Sequence, residues 1–196
     1  MRWLAWLAVV PAYALGTFPS AVMVARSKGI DITKVGSGNP GASNIARTMG
    51  NRWGVVVFAL DGLKGALPAL VGVMALGRNV AYGMVIAAVL GHMFPVTRRF
   101  QGGKGVATMA GAAFVLQPIV ASALLVVWFV VRKLTGVASL ASIAIIVGLP
   151  VGVALRGGPA WEVVAIIAVN GLVMLRHTGN IRRLLHGDEL SASRRK

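Results

Sequence analysis

Long apolar runs, separated by short polar and basic segments, occupy most of the chain. They predict helices near residues 3–25, 53–76, 79–97, 139–155 and 161–176. About 20 apolar residues cross a bilayer as a helix, whereas membrane strands would alternate in polarity over about 10 residues. The pattern therefore predicts an all-α, polytopic membrane protein with one integral-membrane domain over residues 1–196. We expect the first run to be a retained span rather than a signal peptide, because it is long and lacks a clear A-x-A site.

The stretch 105–131 is too long for an ordinary span and has Gln117-Pro118 near its middle. Since proline disfavours helix in the residue before it, this stretch is either one tilted span or two helices, 105–116 and 118–131. Charge separates the alternatives, because Lys and Arg concentrate in cytoplasmic loops. One span divides the basic residues nine to ten between the two sides, and two spans divide them sixteen to three. We therefore predict seven membrane helices, with the N-terminus outside and the C-terminus in the cytoplasm.

The segment 105–116 would then be a half-length helix of about 18 Å, too short for a hydrocarbon core of about 30 Å. Such helices are tolerated where their ends are buried in protein or line a polar cavity. The residues Gly102-Gly103-Lys104-Gly105 precede it on the basic side. Because a helix N-terminus behind a glycine-rich turn is a common anion site, this segment predicts anion binding.

Composition narrows the function further. The chain is 57% apolar and 13% charged, with 20 Lys and Arg against 5 Asp and Glu, a net charge of +15 and no cysteine. The basic residues lie between apolar segments rather than on one soluble face, so we expect no nucleic-acid partner. The basic tail (Arg194, Arg195, Lys196) is expected to contact the lipid surface, and Glu162, at the outer end of a span, to be solvated. The lack of cysteine excludes disulfides, thiolate catalysis and iron–sulfur clusters.

Two loops on the basic side have residues that suit phosphate. In the first, GSGNPGASN (36–44), glycines let backbone N–H groups converge on an anion, and Arg47 adds a planar charged fork; an ordinary flexible loop would have a similar composition. The second, RRFQGGKG (98–105), is not a P-loop. Attraction to the membrane surface explains its arginines but not its glycines.

Other polar residues lie in or beside the spans. Asp61 and Lys64 are three residues apart and form either a structural ion pair or part of a catalytic site. His92 is a packed core residue, an acid–base group or a substrate donor. Ser139 and Ser142 either cap the sixth span or donate to a ligand. In the third cluster, RHTGNIRRLLHGDE (176–189), His177 and Asn180 share a face if the helix continues past the last span.

Several catalytic arrangements have no counterpart in the sequence. No His-x4-Asp pair occurs, and no Ser-His-acid triad, carboxylate pair or metal-ligand cluster is evident on the basic side. We therefore expect neither a metal ion nor a cofactor. Positioning and electrostatic stabilisation of an activated substrate would supply the catalysis.

Three separated motifs resemble those of the bacterial acyl-phosphate:glycerol-3-phosphate acyltransferase family, the PlsY family. They are GSGNPGASN (36–44) with Arg47, GHMFP (91–95) with GGKGVAT (102–108), and RHTGNIR (176–182). DGLKG (61–65) and SLAS (139–142) also fit. The resemblance covers almost the whole chain, and one departure, Ser43 in place of an expected threonine, keeps the hydroxyl.

The resemblance implies an enzyme of phospholipid synthesis in the bacterial cytoplasmic (inner) membrane, with its active site facing the cytoplasm. It would transfer a fatty acyl group from acyl phosphate to the sn-1 hydroxyl of glycerol 3-phosphate, giving lysophosphatidic acid and phosphate. Its partners would be these substrates, membrane lipids and an upstream enzyme that forms acyl phosphate. The alternative is a small transporter of phosphate or organophosphate, although we find no convincing internal repeat.

The resemblance also implies roles for individual residues. It assigns Ser37, Gly38, Asn39, Gly41 and Asn44 to the phosphate of acyl phosphate. It assigns catalysis and the binding of glycerol 3-phosphate to Arg47, Lys104, Ser142, His177 and Asn180, with Gly102, Gly103 and Gly105 allowing the backbone to approach. The further candidates are His92, Ser139, Asp61 and Lys64. We expect no obligatory protein base, since a substrate phosphate can accept the hydroxyl proton; His177 and His92 are the rivals for that role.

Overall fold

The computed structural model describes residues 2–190, and all its regular secondary structure in that range is helical, which confirms the all-α class. Its α-helices are α1 (Val9–Gly16), α2 (Ser20–Arg26), α3 (Ala42–Met49), α4 (Asn51–Val71), α5 (Arg78–Met93), α6 (Val106–Leu116), α7 (Pro118–Thr135), α8 (Ala138–Leu155), α9 (Ala160–Leu175) and α10 (Thr178–Leu185). A 3-10 helix (Arg2–Ala8) precedes α1, a π-helical turn (Gly72–Leu76) extends α4, and a 3-10 turn (Val96–Arg98) follows α5. The basic tail residues 194–196 lie outside the described range.

Five stretches are long and apolar enough to cross a membrane. They are Trp3–Arg26, Asn51–Leu76, Arg78–Arg98, Pro118–Thr135 and Ala138–Leu155. The pair α9 and α10, bent by 61°, adds a sixth if it counts as one span, and α6 is a shorter apolar helix. Each of the seven apolar segments expected from the sequence therefore forms helix, whereas the number of crossings and their orientation stay predictions.

The helix break at Gln117-Pro118 lies where the sequence predicts it. Helix α6 ends at Leu116 and α7 begins at Pro118, with Gln117 as its N-cap residue. The last carbonyl groups of a helix lack partners within the helix. The Arg78 guanidinium donates to one of them, the Leu116 carbonyl, at 3.0 Å.

Glu162 corrects one expectation. Its side chain is buried, with 1% of the residue exposed, rather than solvated. Nε2 of Gln117 donates to Oε2 of Glu162 at 2.7 Å. The break before Pro118 thus supplies an amide donor, and a buried carboxylate requires such hydrogen bonds.

The first span is also broken, which the apolar pattern alone does not predict. Residues Thr17, Phe18 and Pro19 separate α1 from α2. Proline has no N–H to continue the helical ladder, so carbonyl groups near the break can accept other donors. The Phe18 carbonyl accepts a hydrogen bond from the Lys64 ammonium of α4.

The chain divides into two compact units, residues 1–116 (unit 1) and residues 117–196 (unit 2). In unit 1, α4 packs against α6, and α1 packs against α5. A Cβ at Gly65 would lie 1.9 Å from the Thr108 carbonyl oxygen, and one at Gly91 would lie 2.2 Å from that of Tyr13. The backbones of α4 and α6 are therefore in contact at Gly65, and those of α1 and α5 are in contact at Gly91. In unit 2, α8 packs against both α7 and α9.

Candidate active site

Asn44 organises the first glycine-rich loop. Its Oδ1 accepts from the Ser37 backbone N–H at 2.9 Å, and its Nδ2 donates to the carbonyls of Val35 at 3.0 Å and Ile32 at 3.3 Å. Only 2% of Asn44 is exposed. The amide of a residue predicted to bind phosphate thus folds the loop in this structure.

Glycine is required on the loop side of Asn44. Gly36 and Gly38 have φ of 61° and 68°, a region costly for other residues, and a Cβ at Gly36 would lie 2.2 Å from Oδ1 of Asn44. The loop leads into α3 through Gly41, and the first N–H groups of a helix lack partners within it. Arg47 follows one turn later and is half-buried. The arrangement can present backbone donors and a guanidinium to an anion.

A short turn at Asp31 precedes this loop. Oδ1 of Asp31 accepts hydrogen bonds from the Thr33 hydroxyl at 2.6 Å and the Thr33 N–H at 3.1 Å. These two bonds hold the pKa of Asp31 below its ordinary value of 3.8, and the nearby Lys34 ammonium acts in the same direction. The turn therefore depends on an ionised carboxylate.

The second loop folds back onto the end of α5. The N–H of Gly102 donates to the Met93 carbonyl at 3.2 Å, and that of Gly103 donates to the His92 carbonyl at 3.1 Å. A Cβ at Gly102 would lie 2.0 Å from the His92 carbonyl oxygen, and one at Gly103 would lie 2.2 Å from Nε2 of His92. Both glycines are therefore needed for contact with α5, whatever they allow at a ligand. Gly105, at φ 88°, leads directly into α6, and Lys104 is half-buried beside it.

Asp61, Lys64 and His92 form a buried cluster in unit 1, with 2%, 3% and 8% of each residue exposed. Nζ of Lys64 donates to Oδ1 of Asp61 at 2.7 Å, so the predicted pairing is confirmed. Nδ1 of His92 lies 3.7 Å from the same carboxylate oxygen. A buried charge is stable when it is paired and hydrogen-bonded, and each member of this pair supplies what the other needs.

A small pocket in unit 1 joins this cluster to both loops. It is lined by Gly16, Thr17, Phe18, Pro19, Ser20, Ala21, Val22, Pro40, Asp61, Lys64, His92, Pro95, Arg98 and Gly103. Pro40 comes from the first loop and Gly103 from the second, so the two predicted anion loops meet at one pocket. Oγ of Ser20 is buried there and has no hydrogen-bond partner among the described residues.

His177 begins the bend between α9 and α10 in unit 2. The face predicted for His177 and Asn180 requires the helix to continue past the last span, and it does not; His177 is the N-cap residue of α10, and Asn180 lies in its first turn. His177 is 2% exposed, and its Nδ1 lies 2.8 Å from the Val173 carbonyl oxygen. Because a carbonyl only accepts, Nδ1 carries the hydrogen, and Nε2 of the neutral ring is the nitrogen able to accept a proton.

Glu189, which the sequence predictions did not single out, contacts two of the predicted site residues, Asn180 and Ser139. Its Oε1 accepts from Nδ2 of Asn180 at 2.7 Å and from Oγ of Ser139 at 3.1 Å, and its Oε2 accepts from Nε of Arg183 at 2.8 Å. It is 9% exposed. A single acid next to Asp188, in a strongly basic segment, was the available signal. Glu189 thus connects the start of α8 to α10 and orients Asn180.

Neither serine of α8 caps the helix, because Val137 is the N-cap residue and makes no side-chain cap bond. Oγ of Ser142 donates to the Ala138 carbonyl at 2.9 Å, and Nε1 of Trp128 lies 3.5 Å from Oγ of Ser142. Ser139 donates to Glu189 instead. The predicted catalytic residues thus fall in both units, Arg47 and Lys104 in unit 1 and Ser142, His177 and Asn180 in unit 2.

Comparisons with known proteins agree on one family over most of the chain. A model of the family described as glycerol-3-phosphate acyltransferase matches residues 6–187. The chain is 41% identical to the glycerol-3-phosphate acyltransferase of Aquifex aeolicus over 92% of this chain and 95% of that one. It is also similar to crystal structures of PlsY (YgiH), an integral membrane glycerol 3-phosphate acyltransferase, at 40% identity over 95% of this chain and 94% of that chain. The TM-score is 0.92 for the glycerol 3-phosphate form and 0.89 for the lysophosphatidic acid form.

Proposed function

Because the chain belongs to the glycerol-3-phosphate acyltransferase family, we propose that it transfers a fatty acyl group from acyl phosphate to the sn-1 hydroxyl of glycerol 3-phosphate. The protein is an integral membrane acyltransferase. The products are lysophosphatidic acid and inorganic phosphate, and the reaction is the first acylation of bacterial phospholipid synthesis. The similarity to PlsY in both a glycerol 3-phosphate form and a lysophosphatidic acid form is the observation that carries this proposal.

The donor assignment rests on the chemistry of the two loops. Both substrates bear phosphate, and unit 1 has two glycine-rich loops that line one pocket. We assign Ser37, Gly38, Asn39 and Gly41 to the phosphate of acyl phosphate, and Asn44, predicted for the same role, to the support of their loop. Backbone N–H groups of the loop bind that phosphate, while Asn44 keeps the loop in shape.

The remaining roles go to residues with charge or hydrogen-bonding groups. We assign glycerol 3-phosphate binding to Arg47, Lys104, Ser142, His177 and Asn180, with the backbone of Gly102, Gly103 and Gly105 in support. Arg47 and Lys104 neutralise phosphate charge. When the leaving group is already activated, such electrostatic stabilisation of the transition state is the largest catalytic contribution. The acyl phosphate is a mixed anhydride, so the reaction requires little activation of the nucleophile.

The chemical step is a direct displacement. The sn-1 oxygen forms a bond to the acyl carbonyl carbon, and the bond from that carbon to the phosphate oxygen breaks. The hydroxyl proton goes to a phosphate oxygen of the substrate, so no protein base is obligatory. Nε2 of His177 is the rival acceptor, because its Nδ1 faces the Val173 carbonyl.

The localisation follows from the same proposal. We assign the protein to the bacterial inner membrane, with the active site facing the cytoplasm, where glycerol 3-phosphate is dissolved. The acyl tail of acyl phosphate lets this substrate stay in the lipid. An upstream enzyme must form this donor.

The test is a coupled assay with purified protein in detergent, synthetic acyl phosphate and glycerol 3-phosphate. Lysophosphatidic acid and phosphate should form in equal amounts, and only when both substrates are present. Acyl-CoA in place of acyl phosphate is the donor control and should give no product. Folded protein that gives no product with either donor would contradict the acyltransferase and favour the transporter, which reconstituted vesicles would then test directly.

The His177→Gln variant separates the two proton acceptors. Turnover near that of the wild type supports transfer to the substrate phosphate. A loss of several orders of magnitude in kcat, with unchanged KM for both substrates, would show that histidine is the base.

A further inference from the structure

The cluster of Asp61, Lys64 and His92 has no role in the proposed chemistry, yet it buries three ionisable side chains in unit 1. Buried ionisable groups in a membrane helix bundle are costly and commonly serve function. The pairing of Asp61 with Lys64 explains how these two charges are tolerated. It does not explain why a histidine lies against the same carboxylate.

The contacts of the cluster run from the break between α1 and α2, through α4 and α5, to the second loop. Lys64 donates to the Phe18 carbonyl at the break between α1 and α2, and to Asp61. Asp61 lies 3.7 Å from Nδ1 of His92. The opposite edge of the ring faces Gly103, where a Cβ would meet Nε2 at 2.2 Å. The imidazole thus fills the space between the ion pair and the second loop.

The second loop needs such a support. Three of its residues from 102 to 105 are glycines, which lose more conformational freedom on ordering than other residues. Arg99 and Phe100, just before them, have φ of 50° and 61°, which is strained for residues with side chains. Lys104 follows Gly103 directly, so the position of the Gly103 backbone determines where the Lys104 ammonium can reach.

We propose that His92, oriented by Asp61, is a positioning residue that fixes the Gly102–Lys104 backbone for binding the phosphate of glycerol 3-phosphate. The inference rests on the proposed function, in which Lys104 binds that phosphate. His92 does not touch substrate and takes no proton in this role. Its removal therefore weakens an interaction that the bound substrate and the transition state share, which raises KM rather than lowering kcat.

The decisive measurement compares His92→Ala with His92→Gln in the coupled assay, with rates expressed per folded enzyme. For His92→Ala we expect KM for glycerol 3-phosphate to rise about tenfold or more while kcat falls less than about threefold. His92→Gln, which refills most of the space against Gly103, should stay within about threefold of the wild-type KM. A KM for His92→Ala within about twofold of wild type would overturn the proposal.

The matched control is Asn170→Ala. Asn170 is also a buried polar residue, 4% exposed, and its Nδ2 donates to the Ile146 carbonyl at 2.7 Å within unit 2. This variant should lower the thermal midpoint and leave both KM values unchanged. If it raised KM for glycerol 3-phosphate as much as His92→Ala does, the effect would be general loosening and the proposal would be wrong.

If His92→Ala does not fold, Asp61→Asn combined with Lys64→Met, which leaves no buried charge unpaired, decides the question. Asp61→Asn alone, with rates again expressed per folded enzyme, gives an independent test. It keeps the size of the side chain but removes the charge that faces Nδ1, so KM for glycerol 3-phosphate should rise about three- to tenfold. The substitutions His92→Ala and Asp61→Asn should be non-additive, because they act on one path. Fully additive effects of the two substitutions on KM, or an unchanged KM in Asp61→Asn, would contradict a path from Asp61 through His92 to the second loop. The wild-type assay keeps the two proposals apart, since a wild type without acyl transfer refutes the function rather than the role of His92.

Discussion

At the scale of the residue, Glu189 joins three other side chains of unit 2. Its carboxylate accepts from Asn180, Ser139 and Arg183. Removing it in Glu189→Ala leaves buried donors without their acceptor, which costs about 1–3 kcal/mol for such a group. We expect a lower thermal midpoint together with a higher KM for glycerol 3-phosphate, because Asn180 loses the bond that orients it. Thermal unfolding in detergent and the coupled assay measure the two effects.

Asp188→Ala is the control for that experiment. Asp188 is adjacent in sequence and exposed, so this variant removes the same charge without the buried bonds. We expect both the thermal midpoint and KM to stay near wild type. Equal effects of the two substitutions would show that net charge in the basic segment matters, rather than the contacts of Glu189.

Asp31 gives a pH dependence with a defined sign. Its pKa is lowered in the folded protein by the hydrogen bonds from Thr33. A carboxylate with a lowered folded pKa contributes stability that is present above the unfolded pKa and lost as pH falls through the folded one. The difference in thermal midpoint between wild type and Asp31→Asn should therefore be constant from neutral pH to about pH 5, shrink as pH falls through the ordinary value of 3.8, and vanish below the lowered folded pKa. A difference that grew on acidification would contradict this sign.

Residue types in the site were predictable from the sequence, but most of their partners were not. Glycines, asparagines and basic residues at 36–47 and 102–105 identify anion chemistry by type alone. That the Asn44 amide is used by its own loop depends on the path of the chain over residues 32–37. Likewise, the role of Glu189 depends on α8 and α10 approaching each other across fifty residues. Sequence spacing does not specify such long-range contacts.

At the scale of the element, the contact between α4 and α6 depends on glycine. A Cβ at Gly65 would lie 1.9 Å from the Thr108 carbonyl oxygen, so Gly65→Ala forces the helices apart at the α6 turn behind the second loop. Overpacking of this kind costs about 1–3 kcal/mol and exceeds the gain of about 1 kcal/mol in helix propensity. We expect a lower thermal midpoint and a lower kcat/KM for glycerol 3-phosphate.

Gly171→Ala is the matched substitution in another helix. A Cβ at Gly171, in α9, would meet no atom within 4 Å. The propensity gain then stands alone, and the thermal midpoint should stay the same or rise. A fall equal to that of Gly65→Ala would indicate that the loss comes from helical glycine as such and not from the contact with Thr108.

A break between two helices was predictable from the sequence where a proline coincides with the distribution of basic residues between the two sides of the membrane. Gln117-Pro118 has both signals, and α6 and α7 separate there. Phe18-Pro19 lies inside an apolar run without a change in charge, so the sequence pattern predicts one segment over 3–25. The 61° bend at His177 has no proline at all; it follows from the Arg176-His177 turn and the new helix at Thr178. Proline interrupts the helical ladder at the first two breaks, whereas no residue near His177 gives such a signal.

At the scale of the whole molecule, the orientation in the membrane is a prediction from charge. Sixteen basic residues fall on one side and Arg2, Arg78 and Arg156 on the other when α6 and α7 count as separate crossings. The chain has no cysteine, so single cysteines can report sidedness without background. Lys34→Cys and Arg156→Cys should differ in intact cells. A membrane-impermeant maleimide should label position 156 and reach position 34 only after lysis.

Lys133→Cys decides whether α6 and α7 cross separately. Lys133 is exposed at the end of α7. Two crossings place it on the same side as Lys34, protected in intact cells, whereas a single span over 105–131 would place it on the opposite side from Lys34. Protection at both 34 and 133 therefore supports seven segments, whereas opposite results at 34 and 133 support six. Because the half-length α6 begins at the loop that presents Lys104, the seven-segment result would also place that loop on the cytoplasmic side, where glycerol 3-phosphate is available.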